Sequence, residues 1–388
     1  MAHDFHGGEI YGLEDGFVDF SVNINPLGFP ENVWKEMLEH PELATLYPDQ
    51  DCAKLRKALG KKLGIAPKNI ICGNGASEIF SMIARGLKPE KALVTAPTFS
   101  GYEHALRQVG ATIAYHRLME QDQFALTETY IESLTDFKPN IAFLCQPNNP
   151  VGNLIDHDFL EKIMDICEQQ ETFLVLDICF LGFTHDDERW YYKKLSTHPH
   201  LILGSAFTKL YAMPGIRLGY MAMDNFYDFD DIVDQQTEWS VSGIAQWVGQ
   251  RVLEESDYVE EGRKLVDEER AYLTDQLTRM GFTVFPSEAN FILVKGDWRV
   301  ADSLYKKEYL VRKAYNFKGL DNEYFRIAVK THEENEELVW ALQIIQADMI
   351  TFQEIGRQGI DDMVAIREMH RDRFEMPEIT DDIMGFGV

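Results

Sequence analysis

The chain has 388 residues, 45% of them hydrophobic, and its 37 Lys and Arg against 64 Asp and Glu give a formal net charge of −27. This length accommodates two domains with a large core, and the charge argues against nucleic acid or an anionic membrane as the main partner. With no apolar run of the roughly 18 to 20 residues that a membrane helix needs and no secretion signal at the start, a cytoplasmic protein is expected.

The middle of the chain alternates short apolar runs with amphipathic stretches such as residues 156–169. This alternation predicts an α/β fold with a mostly parallel central sheet, which binds ligands at the carboxyl ends of its strands. The predicted strands are Ala92–Ala96, Thr112–His116, Ile141–Cys145, Thr172–Leu176, Leu201–Gly204 and Gly219–Met223. The five cysteines form no CxxC pair, and we expect them to be reduced and to serve in packing.

Beyond about residue 230 the pattern changes to a long charged helical region through residue 280, short strands at 282–285, 290–295 and 324–330, and a helix at 333–345. We therefore predict an N-terminal segment (1–40), a large domain (41–250), a small α+β domain (251–348) and an acidic extension (349–388). The extension is expected to be a helix packed on the small domain with a disordered end; a lid or partner-binding segment is the alternative.

The segment from Ser205 to Tyr220 carries the clearest chemistry. It places Lys209 just after a buried strand and Arg217 eight residues later, across a turn that contains Gly215. A partly desolvated lysine has a lowered pKa and can react with an aldehyde cofactor, and an arginine can hold that cofactor's phosphate with its planar fork. A lone lysine is ordinarily a solvated surface residue, but the complete segment favours a lysine that reacts with an aldehyde cofactor.

This segment resembles the lysine motif of fold-type I enzymes that depend on pyridoxal 5′-phosphate, and within them the branch of histidinol-phosphate aminotransferase and threonine-phosphate decarboxylase. The resemblance extends from about residue 6 to residue 345. It implies a large domain with a mostly parallel central sheet, a smaller α+β domain, and an N-terminal segment that folds over the active site and joins the small domain. No metal is expected.

The resemblance assigns most of the cofactor contacts. Lys209 binds the cofactor covalently, Asp177 pairs with its protonated ring nitrogen, and an adjacent carboxylate favours that charged form. The other contacts that the resemblance implies are Asn149 at the 3′ oxygen, Phe99 stacked on the ring, Ala76, Ser77, Thr208 and Arg217 at the phosphate, and Tyr47 from the neighbouring subunit of a homodimer. The chain departs from the usual pattern at Val151, Ile178, Phe180, Ala206 and Lys313.

The resemblance also implies the substrate contacts. Arg326 is expected to bind the α-carboxylate and Arg312 a substrate phosphate. The N-terminal runs His6-Gly7-Gly8 and Phe20 to Gly28 look more like the decarboxylase branch, and they add contacts from Gly7, Gly8, Asn25 and Gly28.

The expected activity is decarboxylation of a small phosphorylated amino acid. O-phospho-L-threonine is the first choice, giving (R)-1-aminopropan-2-yl phosphate for cobalamin biosynthesis. The alternatives are an aminotransferase of the histidinol-phosphate type, a decarboxylase acting on phosphoserine or a phosphonate amino acid, and a non-catalytic binding protein on the same fold.

Overall fold

The computed structural model describes residues 7, 8, 10, 13 and 16–349, with the backbone alone at 226 and 227. The chain divides into two compact units, residues 1–339 and 340–388. Both large sheets belong to the first unit. The described part of the second unit, residues 340–349, is the end of a helical segment over 332–349. The predicted acidic extension therefore lies, apart from residue 349, outside the described residues.

The described strands are β1 (Val18–Asp19), β2 (Ile70–Gly73), β3 (Lys91–Ala96), β4 (Thr112–Arg117), β5 (Ile141–Cys145), β6 (Phe173–Asp177), β7 (Leu201–Ala206), β8 (Gly219–Ala222), β9 (Thr283–Val284), β10 (Phe291–Lys295), β11 (Tyr309–Leu310), β12 (Arg312–Lys313) and β13 (Tyr324–Ala328). The described α-helices are α1 (Glu31–Leu38), α2 (Glu42–Thr45), α3 (Ala53–Leu63), α4 (Ala76–Leu87), α5 (Ser100–Gln108), α6 (Thr129–Phe137), α7 (His157–Gln169), α8 (Glu188–Lys194), α9 (Phe207–Leu210), α10 (Phe226–Val233), α11 (Gly243–Val252), α12 (Ser256–Arg279), α13 (Val300–Tyr305) and α14 (residues 332–349).

The central sheet has the strand order β2-β8-β7-β6-β5-β3-β4. Pairing is parallel from β7 through β6, β5 and β3 to β4, whereas β8 runs antiparallel to both β7 and β2. All six strands predicted from apolar runs are present; β5 has the predicted bounds, and the ends of the other five differ by one or two residues. The prediction of an α/β fold with a mostly parallel central sheet is confirmed.

Two hydrophobic cores cover the two faces of this sheet. One contains side chains of α4, α5 and α10, and the other contains side chains of α3, α6, α7, α8 and α11. A strand between two cores is buried on both faces, which explains why β5 reads as an unbroken apolar run rather than an alternating one. The packing places the carboxyl ends of β3, β5, β6 and β7 at one edge of the sheet.

A second, antiparallel sheet has the order β12-β13-β10-β9. The chain before the central sheet contacts this region: β1 pairs in parallel with β11 in a separate two-stranded sheet, and the backbone of Phe20 donates to Leu310 of β11 and accepts from Ala328 of β13. The long helical region predicted between residues 230 and 280 is divided among three helices, α10, α11 and α12. Ser242 marks one of the divisions, because its hydroxyl accepts from the backbone N–H of Ala245 and so caps the start of α11.

Two further expectations concern the cysteines and membrane-spanning helices. All five cysteines are free; Cys52, Cys72, Cys145 and Cys167 are buried in hydrophobic clusters, as expected for packing residues, whereas Cys179 is partly buried and lines the cavity described below. Among the described residues, no helix is both long and apolar enough to cross a bilayer.

Candidate active site

A cavity of about 290 Å³ lies at the carboxyl ends of the central strands. The predicted site residues that line it are Gly7, Ala76, Ser77, Phe99, Asn149, Asp177, Thr208, Lys209, Arg217, Arg312 and Arg326. Their elements explain the convergence, since Asp177 ends β6, Lys209 follows β7, and Ala76 begins the helix after β2. Residues that are far apart in the sequence therefore meet at one sheet edge, as the parallel topology requires.

Four predicted contacts lie outside the wall of this cavity. Tyr47 is 83% exposed and its ring lies 4.9 Å from that of Trp239. Asn25 is buried, and its side-chain amide donates to the carbonyl of Leu210 over 2.9 Å. Gly28 accepts from the hydroxyl of Tyr258, and the N–H of Gly8 donates to Ser21. In this structure Asn25 supports the turn that carries the lysine.

Lys209 lies in the one-turn helix α9, directly after β7. Burial lowers the pKa of its amine to about 8, and the positive charges of Arg326 and Arg217 act in the same direction, whereas Asp177 opposes them. An amine with this pKa is partly neutral near pH 7, and the neutral form is the nucleophile. The side chain can therefore attack a carbonyl carbon without an added base.

Asp177 ends β6 and is 5% exposed. Burial raises the pKa of its carboxyl group, while hydrogen bonds from Cys179 and Tyr102 lower it. The Tyr102 hydroxyl donates to Oδ2 over 2.5 Å, and the backbone N–H of Cys179 donates to Oδ1 over 3.0 Å. Both oxygens thus accept a hydrogen bond from a group that favours the ionised form.

Sequence reasoning missed Tyr102. The available signal was its closeness in sequence to a predicted cofactor contact, because Phe99 is the N-cap residue of α5 and Tyr102 lies in the first turn of that helix. The rings of the two residues are in edge contact at 5.5 Å. Gly101 permits this arrangement, since a Cβ at that position would overlap the ring of Phe99.

An anion cradle lies at the start of α4. This helix has no side-chain cap, and Ala76 and Ser77 of its first turn line the cavity, so their backbone N–H groups have no capping oxygen. Gly75 precedes them with a φ of +81°, and a Cβ there would overlap the guanidinium of Arg217. The close approach of an arginine to an uncapped helix start is suited to a phosphate group.

Arg312 and Arg326 are direct cross-strand partners on β12 and β13, so both side chains leave the sheet on the same face about 5 Å apart at Cβ. Arg326 is buried; its Nη1 donates to Oδ1 of Asn149 and its Nη2 to the carbonyl of Ser21 over 2.8 Å. Its Nε has no hydrogen-bond partner among the described residues. A buried guanidinium with a free donor favours an anionic ligand.

The cavity wall contains further residues that were not predicted. They are Ser21, Val22, Asn23, Phe80, Ser100, Cys179, Phe180, Ala206 and Phe317. Ser21, Val22 and Asn23 belong to the N-terminal run that had been singled out, and most of the others are sequence neighbours of predicted residues. Phe317, in the loop after β12, had no signal beyond its closeness to Arg312.

Three of the departures from the family pattern lie away from the cavity wall. Val151 and Ile178 are buried in hydrophobic clusters, and Lys313 forms an ion pair with Asp302 over 2.5 Å. Ala206 and Phe180 do line the cavity. Phe180 presents a ring without a hydroxyl to the site, and that ring packs edge-on against Phe291 at 5.0 Å.

A nucleophilic lysine, a buried carboxylate and an anion cradle at the edge of a doubly covered parallel sheet define a fold-type I enzyme site. The sequence matches the family described as aminotransferase class I and II over residues 15–342. The chain belongs to this family, and the predicted resemblance is confirmed. It is a pyridoxal 5′-phosphate-dependent enzyme.

The chain is 34% identical to the threonine-phosphate decarboxylase of Salmonella typhimurium, across 88% of this chain and 97% of that protein. It is 29% identical to the L-serine phosphate decarboxylase of Sulfurospirillum multivorans, across 82% of each. Among solved structures, the histidinol-phosphate aminotransferase from Clostridium acetobutylicum superposes with a TM-score of 0.79 at 29% identity, covering 85% of this chain and 99% of that one.

The residues of the cavity fit pyridoxal 5′-phosphate. The uncapped helix start with Arg217 suits its phosphate, the partly neutral Lys209 suits its aldehyde, and the carboxyl group of Asp177, held by hydrogen bonds at both oxygens, suits a protonated ring nitrogen. Asn149 uses its carbonyl oxygen for Arg326, which leaves its amide N–H groups available to the ring oxygen. No group in the described wall conflicts with this placement.

Proposed function

We propose that this enzyme decarboxylates a small phosphorylated amino acid, with O-phospho-L-threonine as substrate and (R)-1-aminopropan-2-yl phosphate as product, for cobalamin biosynthesis. The observation that carries the proposal is the cross-strand pair of Arg312 and Arg326 in the same cavity as Lys209. The relatedness to decarboxylases of phosphorylated amino acids supports it.

The arginine pair favours a ligand with two anionic groups a few bonds apart. Among the described residues of the wall, Asp177 is the sole carboxylate, whereas four side chains, Lys209, Arg217, Arg312 and Arg326, are cationic. With Arg217 assigned to the cofactor phosphate, the two remaining arginines can each take one oxyanion of the substrate. A phosphorylated threonine or serine has a carboxylate and a phosphate at this short spacing, whereas histidinol phosphate has no carboxylate.

In the proposed mechanism, the bound cofactor supplies a conjugated ring that accepts the electrons released from Cα. Asp177 holds the proton on the ring nitrogen, which preserves that capacity. Arg326 and Arg312 fix the substrate through its carboxylate and its phosphate, and this orientation decides which bond at Cα is aligned to break. Once the carboxylate has left as carbon dioxide, the protonated amine of Lys209 would be placed to deliver a proton to Cα.

Incubation of the purified enzyme with O-phospho-L-threonine tests the proposal. Carbon dioxide should be released without any added oxo acid, and the matched Lys209→Ala enzyme should release none. Turnover that requires 2-oxoglutarate would instead establish an aminotransferase of the histidinol-phosphate type, which needs the Cα–H bond to be aligned.

The choice between substrates requires a comparison of phosphothreonine, phosphoserine and a phosphonate amino acid at equal concentration. We expect the highest kcat/KM with phosphothreonine. A higher value with phosphoserine would move the assignment to the activity named for the Sulfurospirillum multivorans relative.

We further propose a homodimer with a shared active site. Tyr47 is 83% exposed, and its neighbours Leu46 and Trp239 are also exposed. Tyr47 does not line the cavity of its own chain, which contains the anion cradle. A patch of exposed large apolar side chains is typical of an interaction surface.

Mixing two defective variants tests the shared site. If Tyr47 acts across the interface, a hybrid of Lys209→Ala and Tyr47→Ala subunits contains one site with both residues intact, and its activity exceeds that of either parent. No gain on mixing, with dimers observed by sedimentation, would show that Tyr47 does not reach the partner's site.

A further inference from the structure

Tyr102 is the buried residue in closest polar contact with the predicted partner of the cofactor ring nitrogen. Its hydroxyl donates to Oδ2 of Asp177 over 2.5 Å, and its side chain is fully buried. The other carboxylate oxygen accepts from the backbone N–H of Cys179. Tyr102 therefore donates its hydroxyl to this carboxylate, and the side chain of Cys179 also hydrogen-bonds to it.

We propose that Tyr102 is a positioning residue that keeps the Asp177 carboxylate ionised and aimed at the ring nitrogen of the cofactor. The inference rests on the proposed role of Asp177. It adds a residue that does not line the cavity and whose effect on the cofactor passes through Asp177.

The aromatic neighbours of Tyr102 fix the direction of its hydroxyl. Its ring stacks on Phe143 at 5.0 Å with an interplanar angle of 21° and meets Phe80 edge-on at 5.1 Å. Phe99, which is predicted to stack on the cofactor, contacts it from a third side. A ring held on three sides has few alternative rotamers, so the hydroxyl stays directed at Asp177.

The hydrogen bond from Tyr102 opposes the effect of burial on the pKa of Asp177. Burial raises the pKa of Asp177, which would favour a neutral carboxylic acid in an apolar site. Burial, together with the charge of Asp177, also raises the pKa of Tyr102, so the phenol remains a proton donor. Loss of the donor would shift the shared proton from the ring nitrogen towards Asp177 and reduce the ring's capacity to accept electrons.

Tyr102→Phe tests the proposal because it removes the hydroxyl and preserves the ring. Tyr130→Phe is a matched control: Tyr130 is also fully buried, but its hydroxyl has no hydrogen-bond partner among the described residues. The readouts are the affinity of cofactor-free protein for pyridoxal 5′-phosphate and the ¹⁵N NMR shift of the ring nitrogen in ring-labelled holoenzyme.

We expect Tyr102→Phe to weaken cofactor binding by about ten- to a hundredfold, as for a lost hydrogen bond to a charged group, and to move the nitrogen signal towards the unprotonated position. Tyr130→Phe should leave both readouts unchanged. A protonated nitrogen and wild-type affinity in Tyr102→Phe would overturn the proposal.

Asp177→Asn distinguishes this failure from a failure of the site assignment. If Asp177→Asn shifts the nitrogen signal and Tyr102→Phe does not, the assignment of Asp177 holds and the role of Tyr102 is wrong. If neither variant shifts it, the assignment of Asp177 itself is wrong. These readouts are independent of whether the enzyme decarboxylates or transaminates its substrate.

Discussion

The two halves of the cavity differ in how their charged groups are paired. The half on the central sheet, with Asp177 and Lys209, pairs its carboxylate with two donors and stands on strands buried on both faces. The half on the second sheet places Arg312 directly opposite Arg326, a repulsive pair of like charges. The contrast indicates that the first half is organised before any ligand arrives, whereas the second gains most from an anion.

The largest effect should come from Lys209→Ala in the organised half. Removal of the amine removes the nucleophile and the proton carrier together, and we expect turnover to fall by at least about a thousandfold. The visible absorbance of the bound cofactor should change at the same time. Residual turnover within tenfold of the wild type would show that another group does the chemistry.

Arg312→Gln tests the second half. We expect kcat/KM for a phosphorylated substrate to fall by about ten- to a hundredfold, the value of a charge-assisted hydrogen bond. Turnover of the unphosphorylated amino acid should change little, and cofactor affinity not at all, because Arg312 lies on the other sheet. An equal loss for both substrates would place the phosphate elsewhere.

Gly75→Ala, compared with a control glycine, distinguishes the effect of the anion cradle on cofactor affinity from the effect of a strained backbone. The new Cβ would both strain a positive φ and push Arg217 away, so cofactor affinity should fall by about five- to thirtyfold. Gly110→Ala is the control, because Gly110 also has a positive φ but nothing within 4 Å of its Cβ position. Both variants should lose thermal stability; a loss of cofactor affinity in both would argue against the cradle.

The smallest expected effect concerns pH. Because the pKa of Lys209 is lowered to about 8, its neutral fraction in cofactor-free protein should rise about tenfold between about pH 7 and about pH 9. Amine-reactive labelling of the Lys209 peptide, read by mass spectrometry, should follow that rise with a midpoint near pH 8. A midpoint near 10.4, the ordinary lysine value, would show that the amine is solvated.

The sequence predicted the central sheet well because buried parallel strands are continuous apolar runs, and most of the predicted site residues that follow those strands line one cavity at the sheet edge. Closeness to Phe99 marked Tyr102 only as a neighbour of the site, because its role depends on a contact with Asp177, 75 positions away. It also gave no sign that Asn25 lies beneath the lysine turn. Backbone hydrogen bonds from the N-terminal segment to the second sheet determine that position, and these have no local sequence signal.

Lys209 and Arg217 both lie in the loop that connects the antiparallel strands β7 and β8 and contains the one-turn helix α9. The paired residues Ala206 and Gly219 mark the two ends of that loop. The distance between the covalent anchor and the phosphate anchor is therefore set by the length of one loop. A single-residue insertion between them would displace one anchor relative to the other, even if every side chain were retained. This loop should tolerate substitution of its exposed residues far better than any change in its length, and insertion scanning would measure that difference.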